Sequence, residues 1–342
     1  MDVRLSDEQR ALRDAAAAVV TKLGPGSVAD LDDKSRAQRL DAAIDAAGWR
    51  DLRAAEDDGS PLASAVEVAL VAEELARGPA DAAYLGPLLA AELRRLTGSP
   101  AADIPETLAM SRDLAGLASA SEPAIAIDAA GAQRALLLGS DVSDARLITV
   151  VAVPLATVAT DAVDLTRRAV ALDPADGETE QVGRVAGEDL VRFAALGLAV
   201  ASADLVGLMR GAIDLACEYA ATRKQYDLAV GSFQAVQHLL ADAYVAMEGS
   251  RSAALHAAWA VDALAPADAL AAAASAKAYC ARAARSACES SIQVHGGIGN
   301  TWECKAHLYL RRALVSSELF GGVGISLQRV LDHELGATSG LR

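Results

Sequence analysis

Apolar positions along this chain follow two periods in three regions. Leu5, Leu12, Ala16, Val19 and Leu23 recur at helical spacing, as do Val66, Leu70, Val71 and Leu75 in a later run, which puts each set on one face of an α-helix. Ser6 with Gln9 three residues on has the pattern of a capping box, where two side chains reciprocally satisfy orphan backbone N–H groups. Gly24-Pro25-Gly26 ends the first run and Gly78-Pro79 the later one, as residues of that type break helices. Further helices are expected over 35–47 and 86–96, with a loop over 56–61. From about 116 the pattern changes to short or alternating apolar runs (AIAID, RALLLG, ARLITVVAV, DLTRRAVALD) divided by Gly, Asp and Ser. These predict strands. After the polar stretch DPADGETEQVG, helical spacing returns over 188–222, 232–263, 267–293 and 302–334. Four long helices joined by turns predict an antiparallel bundle. The expected fold is mainly α, with an N-terminal helical domain over 1–115, a small middle β domain over 116–186 and a C-terminal four-helix bundle over 187–342.

Composition sharpens this picture. Hydrophobic residues make up 53% of the 342 but aromatics only 4%, so the core must be built from Ala, Val and Leu, which favours closely packed helices. A net charge of −15 disfavours nucleic acid or an anionic membrane as partner. The opening MDVRLSDEQRALRDAAAAVV scatters charges where a signal peptide needs an apolar core, and no uncharged apolar run long enough to span a bilayer stands out. Cys217, Cys280, Cys288 and Cys304 lack CxxC spacing and are expected to be buried, reduced thiols of a cytoplasmic protein. His238, His256, His307 and His333 have no metal-ligand spacing, and no metal site is expected.

Two stretches carry chemistry. RKQYDLAVGSFQ, 223–234, places Arg223, Gln225, Tyr226, Phe233 and Gln234 around a helix end. An arginine there either offers a forked cation to a phosphate or carboxylate, or caps the carbonyls of its own helix. QVHGGIGNTWE, 293–303, sets Gln293, Gly296 and Gly297 between two long helices. Glycines let a backbone approach a nucleotide closely, and a helix starting near Thr301 would leave N–H groups free for an anion. Either stretch alone fits a plain connector; together they put a fork, amides and a glycine platform on one bundle.

RKQYD…FQ is similar to the R-x-Q-F-G…Q signature of acyl-CoA dehydrogenases, and QVHGGIGNTWE resembles their Q-x-x-G-G-x-G-x-x-x-E segment. LSDEQRALRD and VALVAEELAR resemble the opening helices of that family, so the likeness runs through the whole chain. It implies FAD lying across a subunit interface, with one chain's middle domain holding the flavin and its neighbour's bundle holding the pyrophosphate and adenosine. The residues matching the second half are Arg223, Gln225, Tyr226, Phe233, Gln234, Gln293, Gly296 and Gly297. Asp227 stands where the family has glycine, which leaves the turn geometry open.

The other half departs from the family. Its T-E-P-x-x-G-S-D flavin loop is reduced to Glu122-Pro123, and the β segment holds no tryptophan. The family uses a glutamate to remove the α-proton of an acyl thioester as the β-hydride goes to the flavin, from a Y-E-G-T turn after an R-D-A helix. RRALVSSELFGG puts Phe320 at that position, and the alternative position early in the first bundle helix reads Gly197-Leu198. Neither accepts a proton. Glu318 is the fallback base, although two places along a helix it points to a different face. His295 reads as a packing or nucleotide-side residue. The resemblance therefore implies a non-catalytic subunit of a heterotetrameric, steroid-catabolic acyl-CoA dehydrogenase. Its partners would be a homologous subunit carrying the glutamate, an acyl-CoA and an electron-transfer acceptor. The alternatives are a self-sufficient homo-oligomer using Glu318 and a cofactor-free structural homologue.

Overall fold

The computed structural model describes residues 4–140, 147–155, 162–174 and 178–336. The N-terminal region folds into α1 (Asp7–Leu23), α2 (Lys34–Ala46), α3 (Ala65–Arg77) and α4 (Leu85–Leu96). The capping box at Ser6 and Gln9 is present, with both reciprocal bonds at 3.1 Å, and Ser64 with Glu67 makes a second one ahead of α3. Most side chains of α3 are buried, including Glu73 and Glu74, which share Arg210 of the bundle and pair further with Arg251 and Arg77 respectively.

The middle region is one six-stranded sheet in the order β5-β2-β1-β3-β4-β6. Its strands are β1 (Glu106–Ser111), β2 (Ala124–Ile127), β3 (Arg134–Leu138), β4 (Leu147–Pro154), β5 (Val170–Leu172) and β6 (Glu180–Ala186). β1 pairs parallel with β3, and the remaining neighbours are antiparallel. The sheet begins at Glu106, before the expected start at 116. A glutamate opening a strand hides the pattern; here Arg94 and Arg134 pair with the buried Glu106 carboxylate and make its place in the sheet tolerable. Residues 145–146 of the expected strand ARLITVVAV lie outside the described residues.

The bundle consists of α5 (Gly187–Thr222), α6 (Gln234–Ala263), α7 (Pro266–His295), α8 (Ala306–Glu318) and α9 (Val323–Glu334). One helix was expected over 302–334; the structure breaks it at Leu319–Gly322, where Phe320 and Gly321 adopt φ of 60° and 95°. By length and composition the most apolar window of α5 passes for a bilayer span, although Arg192, Asp204 and Arg210 leave no long uncharged run in the helix, as the sequence reading has it. α5 is instead the central core helix, and 89% of that window is buried. Gly207 and Gly211 let it lie against the backbone of α3, where a Cβ would come 2.0 Å from the Glu73 carbonyl and 2.2 Å from that of Arg77. Asp204 on α5 binds Arg312 of α8 and Arg167 of the β4–β5 connection, both at 2.6 Å, and accepts from the Ser316 hydroxyl at 2.7 Å. Burial alone would raise its pKa; the two guanidiniums and these hydrogen bonds outweigh that and hold the carboxyl below the usual range. This buried cluster locks α8 onto α5 and the sheet.

Candidate functional site

Where α5 stops, the chain turns back in a two-residue hairpin. β7 (Lys224–Gln225) pairs with β8 (Leu228–Ala229) across Tyr226 and Asp227, whose φ values are 54° and 63°. Positive φ at both central residues marks a type I′ turn, which tolerates Asp in place of glycine. The departure at Asp227 therefore leaves a well-formed turn. The hairpin is held by its backbone: the Arg223 N–H donates to the Tyr219 carbonyl at 2.9 Å, and the Val230 N–H to the Arg223 carbonyl at 2.8 Å. Among the described residues the Arg223 guanidinium has no hydrogen bond or ion pair, and the side chain is exposed. Arg223 thus caps α5 through its backbone N–H and not through its side chain. Gln225, Tyr226 and Gln234 are exposed, and half-buried Phe233 is the N-cap of α6.

The glycine stretch follows α7 directly. Gly296 has φ 65°, and a Cβ at Gly296 or Gly297 would meet nothing within 4 Å. Among the described residues nothing fills the space beside Gly297, so the backbone there is open to a ligand. Gly299 differs, since its Cβ would come 2.8 Å from the Ile292 carbonyl, which makes it a packing glycine. The helix start expected near Thr301 is not there. Gly296–Asn300 curl into a 3₁₀ turn, the Thr301 N–H donates to Ile298, and α8 begins only at Ala306. Tyr219 stacks on His295 with ring centroids 4.6 Å apart, which brings the two stretches to one end of the bundle. Gln293 is exposed beside them.

The base position is built in the opposite way. Phe320 is 2% exposed and meets Phe193 edge-on at 6.2 Å. Its ring lies directly on Gly197: a Cβ there would sit 2.4 Å from the Phe320 Cζ. Both positions from which a base could act thus face each other, one filled by a phenyl ring and the other emptied to admit it. Glu318 is exposed, with its carboxylate over Gly322. A neighbouring cavity, lined by apolar Leu85, Ile127, Val315 and Leu319 and by polar Asp128, Asp164 and Arg167, measures about 50 Å³, far below the roughly 300–1,000 Å³ of ligand pockets.

Sequence reasoning missed what fixes this turn. Lys277, fully buried on α7, donates to the carbonyls of Ser317 (2.8 Å), Leu319 (2.7 Å) and Gly321 (3.3 Å). Burial pushes its ammonium down to about 7, partly offset by the Glu318 charge. Arg329 takes the Phe320 carbonyl. In the alanine-rich run AAAASAKAYCARA nothing distinguishes a buried lysine from a solvated one. The β1–β2 connection also reaches the turn, with the Gly321 N–H donating to the Leu114 carbonyl at 3.2 Å. Glu122-Pro123, the expected trace of the flavin loop, is exposed at the start of β2. Of the cysteines, Cys280, Cys288 and Cys304 are buried as expected; Cys217 is exposed.

Residues 195–334 match the acyl-CoA dehydrogenase C-terminal domain. Over 323 residues the chain is 30% identical to acyl-CoA dehydrogenase IpdE2 of Mycobacterium tuberculosis, covering 92% of this chain and 93% of that protein. The chain belongs to the acyl-CoA dehydrogenase family. It is also 42% identical over 146 residues to acyl-CoA dehydrogenase FadE34 of the same organism, a match that takes in 43% of this chain but only 20% of that protein. Among solved structures, the Tcur3481–Tcur3483 steroid ACAD variant aligns with a TM-score of 0.81 at 21% identity, over 96% of this chain and 98% of that one. The ChsE4–ChsE5 complex of Mycobacterium tuberculosis aligns at 0.79 and 22%, over 99% and 100%. These two show the shared fold. FAD is the cofactor of this family. The residues present fit its diphosphate end, with a forked cation, amides and an open glycine backbone, while the base position holds only apolar groups.

Proposed function

We propose that this chain is the non-catalytic subunit of a cytoplasmic, heterotetrameric acyl-CoA dehydrogenase. Arg223, Gln225, Tyr226, Phe233, Gln234, Gln293, Gly296 and Gly297 hold the adenosine diphosphate side of FAD, and a homologous partner supplies the flavin contacts and the glutamate. The complex introduces an α,β double bond into a CoA thioester and passes the electrons to an electron-transfer acceptor. A steroid-derived acyl group is the substrate class, supported by the likeness to the steroid ACAD structure.

The carrying observation is the Phe320 ring seated on Gly197. A base needs a carboxylate within reach of the α-proton, in a site dry enough to lift its pKa. Here both base positions, Phe320 and Gly197, lack a carboxylate, and Glu318, two places along, is exposed to water. The test is co-expression of the chain with its partner against expression alone, reading the flavin absorption spectrum and subunit composition. A mixed complex retaining FAD is expected. An active, flavin-loaded homo-oligomer from this chain by itself contradicts the proposal.

A further inference from the structure

The two stretches facing the cofactor end different helices, and one side-chain contact ties those ends together. Tyr219, in the last turn of α5, stacks on His295, the last residue of α7, with the rings 30° apart. His295 is 6% exposed, and its Nδ1 meets the Ser291 carbonyl at 2.7 Å. A carbonyl only accepts, so Nδ1 carries the proton and the ring plane is fixed. Ser291 is anchored in turn, its hydroxyl donating to the Ala212 carbonyl on α5 at 2.8 Å. On the other side, the Tyr219 carbonyl receives the Arg223 N–H. The hairpin therefore hangs from the turn that carries one ring, and Gly296 directly follows the other.

We propose that Tyr219 and His295 are a positioning pair, setting the distance between the Arg223 fork and the Gly296-Gly297 backbone so that both engage one nucleotide diphosphate. This rests on the half-site reading above. The pair works through ring contact alone, because the Tyr219 hydroxyl makes no hydrogen bond among the described residues. An offset stack of this kind contributes about two- to tenfold in affinity when it preorganises a site.

The experiment uses the FAD-loaded complex isolated through a tag on this chain, and measures FAD dissociation and thermal stability together. Tyr219→Leu is expected to weaken FAD about three- to tenfold, with Tyr219→Phe staying within twofold. His295→Gln, which keeps a donor for Ser291 but removes the ring, is expected to reproduce the loss. The loss on Arg223→Ala should shrink in the Tyr219→Leu background, because a fork already out of place has less to lose. Unchanged FAD affinity in Tyr219→Leu or His295→Gln overturns the inference, as does an Arg223→Ala penalty equal in both backgrounds. If Arg223→Ala has no effect even with the stack intact, or if no FAD-loaded complex forms, the half-site reading itself is what fails.

Discussion

At one end of the bundle Arg223, Gln225, Gln234 and the Gly296-Gly297 backbone face solvent, and the Arg223 guanidinium has no partner among the described residues. At the other, the Phe320 turn is buried, its carbonyls taken by Lys277 and Arg329 and its ring pressed onto Gly197. Groups kept for an outside ligand stay unsatisfied from within, since any internal partner would compete with the ligand. A position released from chemistry is free to join the core, where apolar burial and backbone hydrogen bonds stabilise it. Uniform decay of a cofactor site would blur both ends alike. The contrast is what the half-site proposal expects of a chain whose neighbour performs the other half of the work.

The strongest way to break this contrast is to restore a carboxylate with Phe320→Glu. Losing the ring costs about 3–5 kcal/mol, and an unpaired carboxylate against Phe193 adds to it. A large drop in melting temperature with no gain in turnover is expected; a stable variant that turns over acyl-CoA without a partner makes the base position functional after all. Next in size is the anchor of α8. Asp204→Ala leaves Arg167 and Arg312 buried without their shared partner, a loss of about 3–5 kcal/mol, read in denaturant titrations. Acid should act through the same group. Its folded-state pKa is lowered, so its contribution is complete above the unfolded carboxyl value and disappears as pH falls through the folded one. Melts of the wild type should therefore fall steeply below about pH 4, and Asp204→Ala should flatten that dependence. Smaller again is Arg223→Ala, which removes a charge-assisted contact of roughly 1.5–3 kcal/mol. FAD affinity of the complex should fall about ten- to a hundredfold with the melting temperature of the protein unchanged. A lower melting temperature with full FAD occupancy would make Arg223 a structural residue.

Elements with local signals were legible in the sequence. Ser6 and Gln9 announced α1, and the helical spacing put α5 at 188–222 against Gly187–Thr222 in the structure. The features that failed depend on distant partners. β1 was hidden because Glu106 belongs in a strand only with Arg94 and Arg134 beside it. The break between α8 and α9 had a signal, Gly321-Gly322, but the fully helical pattern on either side masked it. The candidate site divides in the same way. Its residue types could be read from RKQYD and HGGIG, whereas the Tyr219–His295 contact and the Lys277 anchor arise from packing between helices remote in sequence.

The smallest expected effect decides the most. If no residue of this chain removes the α-proton, then Glu318→Gln, which keeps size and abolishes basicity, must leave turnover nearly untouched. The measurement is turnover of an acyl-CoA by the reconstituted complex with an artificial electron acceptor. Loss of a required base lowers the rate about 10²–10⁴-fold. The expected result is a Glu318→Gln complex within a few-fold of wild type, while removing the partner's glutamate abolishes turnover. A Glu318→Gln complex that is folded and flavin-loaded yet inactive would assign catalysis to this chain and reverse the roles of the two subunits.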